Sequence, residues 1–473
     1  MNTTTCRPLS GETPHVKIIG AGLAGSEAAL QLAMRGVRVT LKEMRPGKGT
    51  PVHASGRCAE LVCSNSLKSK KPESAAGMLK EELHVLGSRL YEAALACEVP
   101  AGGALAVDRD AFSHAVTASL EAHPLIELVR DEALDVMAET RGFDALVVAA
   151  GPLASDALAA SLAKITGEDA LAFYDAAAPI VLADSLDDSV LFTQSRYEED
   201  AEQGDYLNAP FTKDEYEAFI RELVEAERVI PRDFETRELF SACQPIEEIA
   251  RKGFDAPRFG PLKPVGLIDP RTGRRPWAVL QLRAEDRAWQ SYNLVGFQTN
   301  LTFPEQKRVF SLIPGLGNAE FARFGVMHRN TFIDAPRLLD DRLRLHAALL
   351  PDEAPPVYVA GQLGGTEGYC EAIRSGLHVA LCVAARLAGV DAPPLPRQTA
   401  FGALLAYATD PDTRDYQPMH VNFGIMAPLD APVRNKRQRY AAYAQRGRDA
   451  LAAYRDALDA CGLLVEGAGR ADG

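Results

Sequence analysis

His15-Val16-Lys17-Ile18-Ile19-Gly20-Ala21-Gly22-Leu23-Ala24-Gly25-Ser26-Glu27 is the stretch that decides the fold. A short β-run feeds a G-x-G-x-x-G turn, and the turn opens an alanine-rich helix. Val37 to Leu41 then reads as a second strand, running on to Glu43. Gly20 supplies the tight turn, Gly22 lets the backbone approach a pyrophosphate, and Gly25 lets helix and strand pack closely. The helix N-terminus turns its partial positive charge toward the phosphates. Glu43 follows Gly25 by 18 residues, where a ribose-binding carboxylate belongs. The glycine spacing alone is a weak signal. Strand, turn, helix, second strand and acid in this order point to dinucleotide binding. The alternative is a glycine-rich βα turn with no ligand.

With 473 residues, the chain is long enough for two or three domains and a large core. It contains no run of about 18 apolar residues, so no membrane span is expected. Residues 1–14 are polar and lack an apolar stretch, reading as a flexible leader rather than a signal peptide. A cytoplasmic protein is expected. Cysteines at 6, 58, 63, 97, 243, 370, 382 and 461 are too scattered for a secreted disulfide framework. No metal site is expected.

The net charge of −13 argues mildly against a nucleic-acid partner. Charge acts locally, however. Residues 251–287 carry nine Lys/Arg against four acids, a surplus of five positive charges. An acidic protein can direct one basic segment at a polyanion.

Two later segments resemble strands that run into glycine turns: Phe143 to Pro152, and Val357 to Gln362 followed by Leu363-Gly364-Gly365-Thr366-Glu367-Gly368-Tyr369. Both fit a parallel sheet whose carboxyl ends line one crevice. Residues 74–96 read as helical, as do 369–388 and 431–463. A single fingerprint with a late return strand suggests FAD rather than NAD as the bound dinucleotide, because a separate NAD(P)H domain needs a second fingerprint. The fold expected is α/β, a Rossmann-like FAD-binding domain with an inserted α+β domain. The expected boundaries are a leader (1–14), FAD-binding domain (15–184), insertion (185–330), the rest of the FAD-binding domain with C-terminal helices (331–463), and a tail (464–473). Candidate cofactor residues are Gly20, Ala21, Gly22, Leu23, Ala24, Gly25, Glu43, Gly361, Gln362 and Gly368.

Two cysteines stand out. Cys63 lies in a loop shortly after the second strand, where it can sit beside a flavin. Cys58 and Cys63 also have the C-x₄-C spacing of flavin disulfide reductases, a rival reading that requires a second nucleotide domain. Cys243 precedes Gln244-Pro245-Ile246-Glu247-Glu248. Pro245 suits a first helical position, which places Cys243 at or just before a helix N-terminus that favours a thiolate. Arg251 and Lys252 add positive potential within that helix. The plain alternative for each is a buried structural thiol.

From His15 to about Asp430 the chain resembles the bacterial folate- and FAD-dependent tRNA uracil-C5-methyltransferases, which make ribothymidine in the T-loop. The matching pieces include Ile19 to Ala28, Ala59 to Leu67, Tyr174 to Ile180 and Asp205 to Asn208. Further matches are Cys243 to Glu247, Arg258 to Leu267, Tyr292 to Thr299, Gly325 to Phe332, and Glu367 to Tyr369. The chain departs from the family at Cys58, often an aromatic there, in the loop 52–57, and at Cys370 to Gly376, where Arg374 stands near an expected folate or flavin edge. The resemblance implies C5-methylation of uridine 54, with methylene from 5,10-methylenetetrahydrofolate. It also implies reduced FAD as reductant and methylene carrier, and NAD(P)H as the flavin's reductant. Cys243 is then the expected uracil nucleophile and Cys63 a second catalytic thiol, with their roles interchangeable on the sequence. For tRNA contact the expected residues are Lys263, Arg271, Arg274, Arg275, Arg323, His328 and Arg329, with Trp277 or Tyr292 stacking on a base. No obligatory protein partner is expected. An rRNA substrate, a Cys58/Cys63 disulfide oxidoreductase and a non-catalytic RNA-binding flavoprotein are the alternatives.

Overall fold

The computed structural model describes residues 13–50, 52–167, 171–196, 204–229, 244–414 and 416–465, without the side chains of 171–175 and 328–329. The fingerprint strand β1 (His15–Ile19) lies at the centre of a five-stranded sheet. It pairs in parallel with β2 (Arg38–Glu43) on one side and β7 (Ala145–Val148) on the other. β6 (Ile126–Arg130) and β16 (Val357–Val359) close the edges, also in parallel. Helices cover the sheet, so Val16, Ile18, Leu146, Val147 and Val148 are each fully buried. This explains why these strands read as continuous apolar runs rather than alternating ones. The helices Leu23–Ala33 and Tyr369–Leu387 pack together above the sheet.

The stretch expected to be helical over 74–96 is two helices, Ala75–Val85 and Arg89–Ala96. Gly87 takes a left-handed φ of 71°, and the Ser88 hydroxyl accepts the N–H of Tyr91 to cap the second helix. A small antiparallel sheet joins β3 (Ser66–Ser69), β5 (Ala104–Val107) and β4 (Glu98–Val99).

The antiparallel ribbon of β8 (Leu171–Ala176) and β15 (Met327–Phe332) bounds the inserted part. Inside it lies a six-stranded antiparallel sheet. Its strands are β10 (Phe192–Thr193), β11 (Tyr206–Phe211), β12 (Ala278–Ala284), β13 (Ser291–Leu294), β9 (Ile180–Leu182) and β14 (Phe321–Arg323), in that order. β9 extends this sheet upstream of residue 185. The helix Lys213–Glu225 packs Tyr216, Phe219, Ile220 and Leu223 onto it, a helical-period stripe beside Phe211 and Phe297. Thr212 and Glu215 form its capping box. Among the described residues, no helix is long and apolar enough to cross a membrane.

Candidate active site

The carboxyl ends of β1, β7 and β16 open into a cavity of about 430 Å³. Gly20, Gly22, Leu23, Ala24, Glu43, Gly361, Gln362 and Gly368 line it. Gly20 has φ 96°, and a Cβ on Gly25 would lie 1.9 Å from the Gly20 carbonyl oxygen, so this turn admits only glycine at both places. A Cβ on Gly22 would meet nothing within 4 Å, because that side of the turn faces open space. Gly22 is also the N-cap of Leu23–Ala33, with no side-chain cap and no acid in the first turn. The helix end is left for an outside anion. Gln362 brings a buried Nε2 to the cavity with no hydrogen-bond partner. An open phosphate-sized turn and an unspent amide donor on one cavity fit an FAD.

Glu43 accepts the N–H of Ala21 at 2.9 Å and the Arg45 Nε at 2.9 Å. Burial pushes its carboxyl up, but Arg45 outweighs this and holds it below the usual range. An ionised carboxylate has further lone pairs to offer a ribose hydroxyl. Arg45 reaches on to Glu60, which accepts from Ala54 N, Ser55 N and Ser55 Oγ. Glu60 thus organises the loop that departs from the family pattern.

Cys63 lies on the wall of this cavity. Its loop is held by side chains from distant parts of the chain. The Tyr369 hydroxyl oxygen accepts the N–H of Cys63 at 2.9 Å and of Ser64 at 3.1 Å. Arg109 donates to the Leu61 carbonyl and Arg323 to the Val62 carbonyl, each at 2.8 Å. Arg283 donates to Asn65 Oδ1 and Ser64 Oγ. Glu285 pairs with Arg109. Burial disfavours the Arg109 cation; the charge and hydrogen bond of Glu285 lead the neighbours that outweigh it and push its pKa up.

The other cysteines differ. Cys58 is fully buried, does not line the cavity, and burial pushes its thiol up. Neither it nor Cys63 is in a disulfide. A dithiol working on one flavin face needs both sulfurs at the cavity, so this arrangement disfavours the disulfide-reductase reading. Cys370 does line the cavity, but burial pushes it up to about 11, leaving a protonated, inert thiol at neutral pH.

Cys243 lies outside the described residues. The helix after it spans Ile246–Lys252, so Pro245 is its N-cap rather than its first helical residue. The Ile246 N–H donates to the Gln298 carbonyl at 2.8 Å, and Gln298 lines the cavity. The start of this helix is thereby tied to the cavity wall. Arg251 pairs with Glu248, and Lys252 Nζ reaches the Gln244 Oε1 at 2.6 Å. Glu247 is fully buried and accepts from Thr299 Oγ1 and the N–H of Asn300.

The expected RNA-contacting residues fall into four groups. Lys263, Arg274 and Arg275 are exposed. Arg271 is bound to Asp269 by two hydrogen bonds from its guanidinium. Arg323 turns inward onto the Cys63 loop. His328 and Arg329 lie on β15, and their side chains are outside what is described. The expected stacking aromatics are not open to a base. Tyr292 is buried in the insertion core, and Trp277 carries the Arg258 guanidinium 3.8 Å from its ring centroid. Arg374 sits away from the cavity too. It is fully buried, 3.4 Å from Glu82 and over the Phe401 ring.

Sequence reasoning missed Arg109, Arg283, Glu285, Asn65 and the Tyr369 hydroxyl. Arg283 alone left a trace, a cation inside the apolar run of β12, where every residue is buried.

Comparison with known proteins follows the same lines. The family model described as "Glucose inhibited division protein A" matches residues 15–391. A Symbiobacterium thermophilum protein named Methylenetetrahydrofolate--tRNA-(uracil-5-)-methyltransferase TrmFO is 51% identical over 446 residues, 93% of this chain and 97% of that protein. The Geobacter sulfurreducens protein of the same name is 53% identical, covering 90% of this chain and 96% of its own. The crystal structure of Aquifex aeolicus GidA (form I) superposes with a TM-score of 0.68 at 16% identity, over 97% of this chain and 77% of that one. This last likeness shows the fold alone.

Proposed function

The chain belongs to the methylenetetrahydrofolate-tRNA-(uracil-5-)-methyltransferase family, and from that membership we propose that it methylates C5 of a tRNA uridine with a one-carbon unit from 5,10-methylenetetrahydrofolate. The finer reading is uridine 54 of the T-loop, in the cytoplasm, with NAD(P)H as the electron source. The observation that supports the methyl-transfer chemistry is the placement of Cys63 on the wall of the same cavity as Gly20, Gly22 and Gln362. Among the described residues, no group of three His, Cys, Asp or Glu is placed to hold a metal.

Uracil C5 is a poor nucleophile until a thiolate adds to C6. The new S–C6 bond pushes the C5–C6 π pair onto C5 and the C4 carbonyl. C5 can then bond to the electrophilic one-carbon unit. Loss of the C5 proton expels the carrier nitrogen from the one-carbon unit and leaves a methylene on C5, with the sulfur still on C6. A hydride equivalent (two electrons and a proton) adds to that methylene to give methyl and an enolate, whose pair re-forms the C5–C6 double bond and expels the thiolate. Cys243 is the proposed nucleophile, supported by the tie between the helix start that follows it and the cavity wall at Gln298. Cys63 is the proposed second thiol. Gly20, Ala21, Gly22, Leu23, Ala24, Gly25, Glu43, Gly361, Gln362 and Gly368 would hold FAD, which when bound would supply the reducing electrons for the methylene-to-methyl step. The protein's own share is orientation. The Gly22 helix end would receive a pyrophosphate and Glu43 a ribose hydroxyl, and the clamped Leu61–Asn65 loop presents its thiol to the same cavity. Lys263, Arg274 and Arg275 offer an exposed cationic face for the RNA backbone.

Purified protein incubated with unmodified tRNA transcript, methylene-labelled folate and NADPH tests this reading. Nucleoside mass spectrometry should find labelled 5-methyluridine at position 54. Transcript that remains unmodified by flavin-loaded protein would refute it.

A further inference from the structure

We infer that the inserted domain sets the reactivity of Cys63, with Arg283 as the positioning residue that locks its loop. This builds on the reading of Cys63 as one of the reaction's thiols. Arg283 lies on β12 of the inserted sheet, only 6% exposed. Its Nε donates to Asn65 Oδ1 at 2.7 Å and its Nη2 to Ser64 Oγ at 2.8 Å. The Asn65 amide nitrogen in turn donates to the Val107 carbonyl at 3.1 Å and the Ala284 carbonyl at 2.9 Å. The Asn65 side chain therefore spends its carbonyl and both N–H groups, which fixes the loop to β12 and β5 together.

The other side of the sulfur is held in the same way. Arg323, on β14 of the same inserted sheet, takes the Val62 carbonyl. Arg109 takes the Leu61 carbonyl and is itself oriented by Glu285, the residue following β12. Leu61, Val62, Ser64 and Asn65 thus each receive a guanidinium. Cys63 between them is anchored through its N–H to Tyr369. Fork-shaped guanidinium contacts give this loop one geometry, which a lysine ammonium would not reproduce.

The clamp is also an electrostatic device. Three guanidiniums surround the loop, and Glu285 offsets one of them. Tyr369, which also faces Cys63, is held neutral by burial. Each of the three arginines and Tyr369 interacts electrostatically with Cys63. Excess positive charge beside a partly buried thiol favours the thiolate. A catalytic thiol in the nucleotide-binding unit is therefore reactive only with the inserted sheet seated on it.

Alkylation of Cys63 by iodoacetamide, followed by peptide mass spectrometry over a pH series, reads this out in the full-length flavin-loaded protein. Arg283→Met should slow Cys63 alkylation at neutral pH by about tenfold, the effect of raising a thiol by one pKa unit. Arg283→Lys, which retains the charge but not the two-pronged contact to Asn65 and Ser64, should recover the rate only in part. Glu285→Gln leaves Arg109 uncompensated and should speed alkylation. Loosened folding would move Arg283→Met and Glu285→Gln in the same direction, whereas the clamp moves them in opposite directions. An Arg283→Met profile that superimposes on the wild type, or shifts of both variants in one direction, would overturn the inference. The readout needs no methyl transfer, so an inactive wild-type protein counts against the proposed reaction and an unmoved profile against the clamp.

Discussion

The phenol oxygen of Tyr369 accepts the backbone N–H of Cys63 at 2.9 Å, across 306 residues of sequence. The first residue of one helix thus fixes the loop that presents the thiol. Tyr369→Phe leaves the N–H groups of Cys63 and Ser64 without their acceptor, a loss of about 1–3 kcal/mol for partly buried donors. Denaturant titration should show the lower stability, and turnover should fall with little change in KM for tRNA. An unchanged midpoint together with unchanged turnover would show that the hydroxyl does not hold the loop.

The Gly20–Gly25 turn predicts how flavin is retained. In Gly25→Ala the new Cβ meets the Gly20 carbonyl oxygen, so the phosphate-facing turn must open. The purified variant should lose its yellow colour. Gly49→Ala, at a site with nothing within 4 Å, should keep it. Equal flavin content in both variants would contradict the cradle.

Glu247 predicts a pH-dependent stability. Burial pushes its carboxyl from about 4.5 up to about 7. A raised carboxyl favours the folded state in its protonated form. That contribution is complete below pH 4.5 and is lost as pH rises through about 7. It amounts to about 3 kcal/mol across that window. Glu247→Gln stays neutral, so its melting temperature should gain on the wild type between pH 5 and pH 8. A difference that does not vary with pH would rule this out.

The exposed cations predict RNA affinity. Alanines at Lys263, Arg274 and Arg275 together should weaken tRNA binding and flatten its salt dependence, by about 0.7–0.9 in the log–log slope for each phosphate left without its cation. Arg271→Ala should do less, because its guanidinium is already bound to Asp269. Filter-binding curves identical to wild type across salt would contradict the assignment.

Local rules make the nucleotide-binding half legible. Period, glycine turn and acid all act within about 30 residues, and β1, Leu23–Ala33 and β2 follow them. The break at Gly87–Ser88 is equally local, but the helical character on both sides of it hides it. Cys63 is legible because its loop follows the second strand. Its clamp is not, because Arg109, Arg283, Arg323 and Tyr369 converge on it from separate elements. Arg323 reads as a surface cation for the same reason; nothing near it in sequence shows that it faces Val62. Tyr292 reads as a stacking ring because its burial depends on the sheet formed by β9, β12 and β13.

The thiol chemistry has a direct test in a tRNA transcript carrying 5-fluorouridine at the target position. Fluorine at C5 leaves no proton to lose, so the S–C6 bond persists once the one-carbon unit has been accepted. A covalent protein–RNA complex is expected, whose linked peptide contains Cys243 and which Cys243→Ser abolishes. A link at Cys63 would reverse the assigned roles, and no covalent complex with flavin-loaded protein and methylenetetrahydrofolate would contradict thiolate addition to the uracil ring.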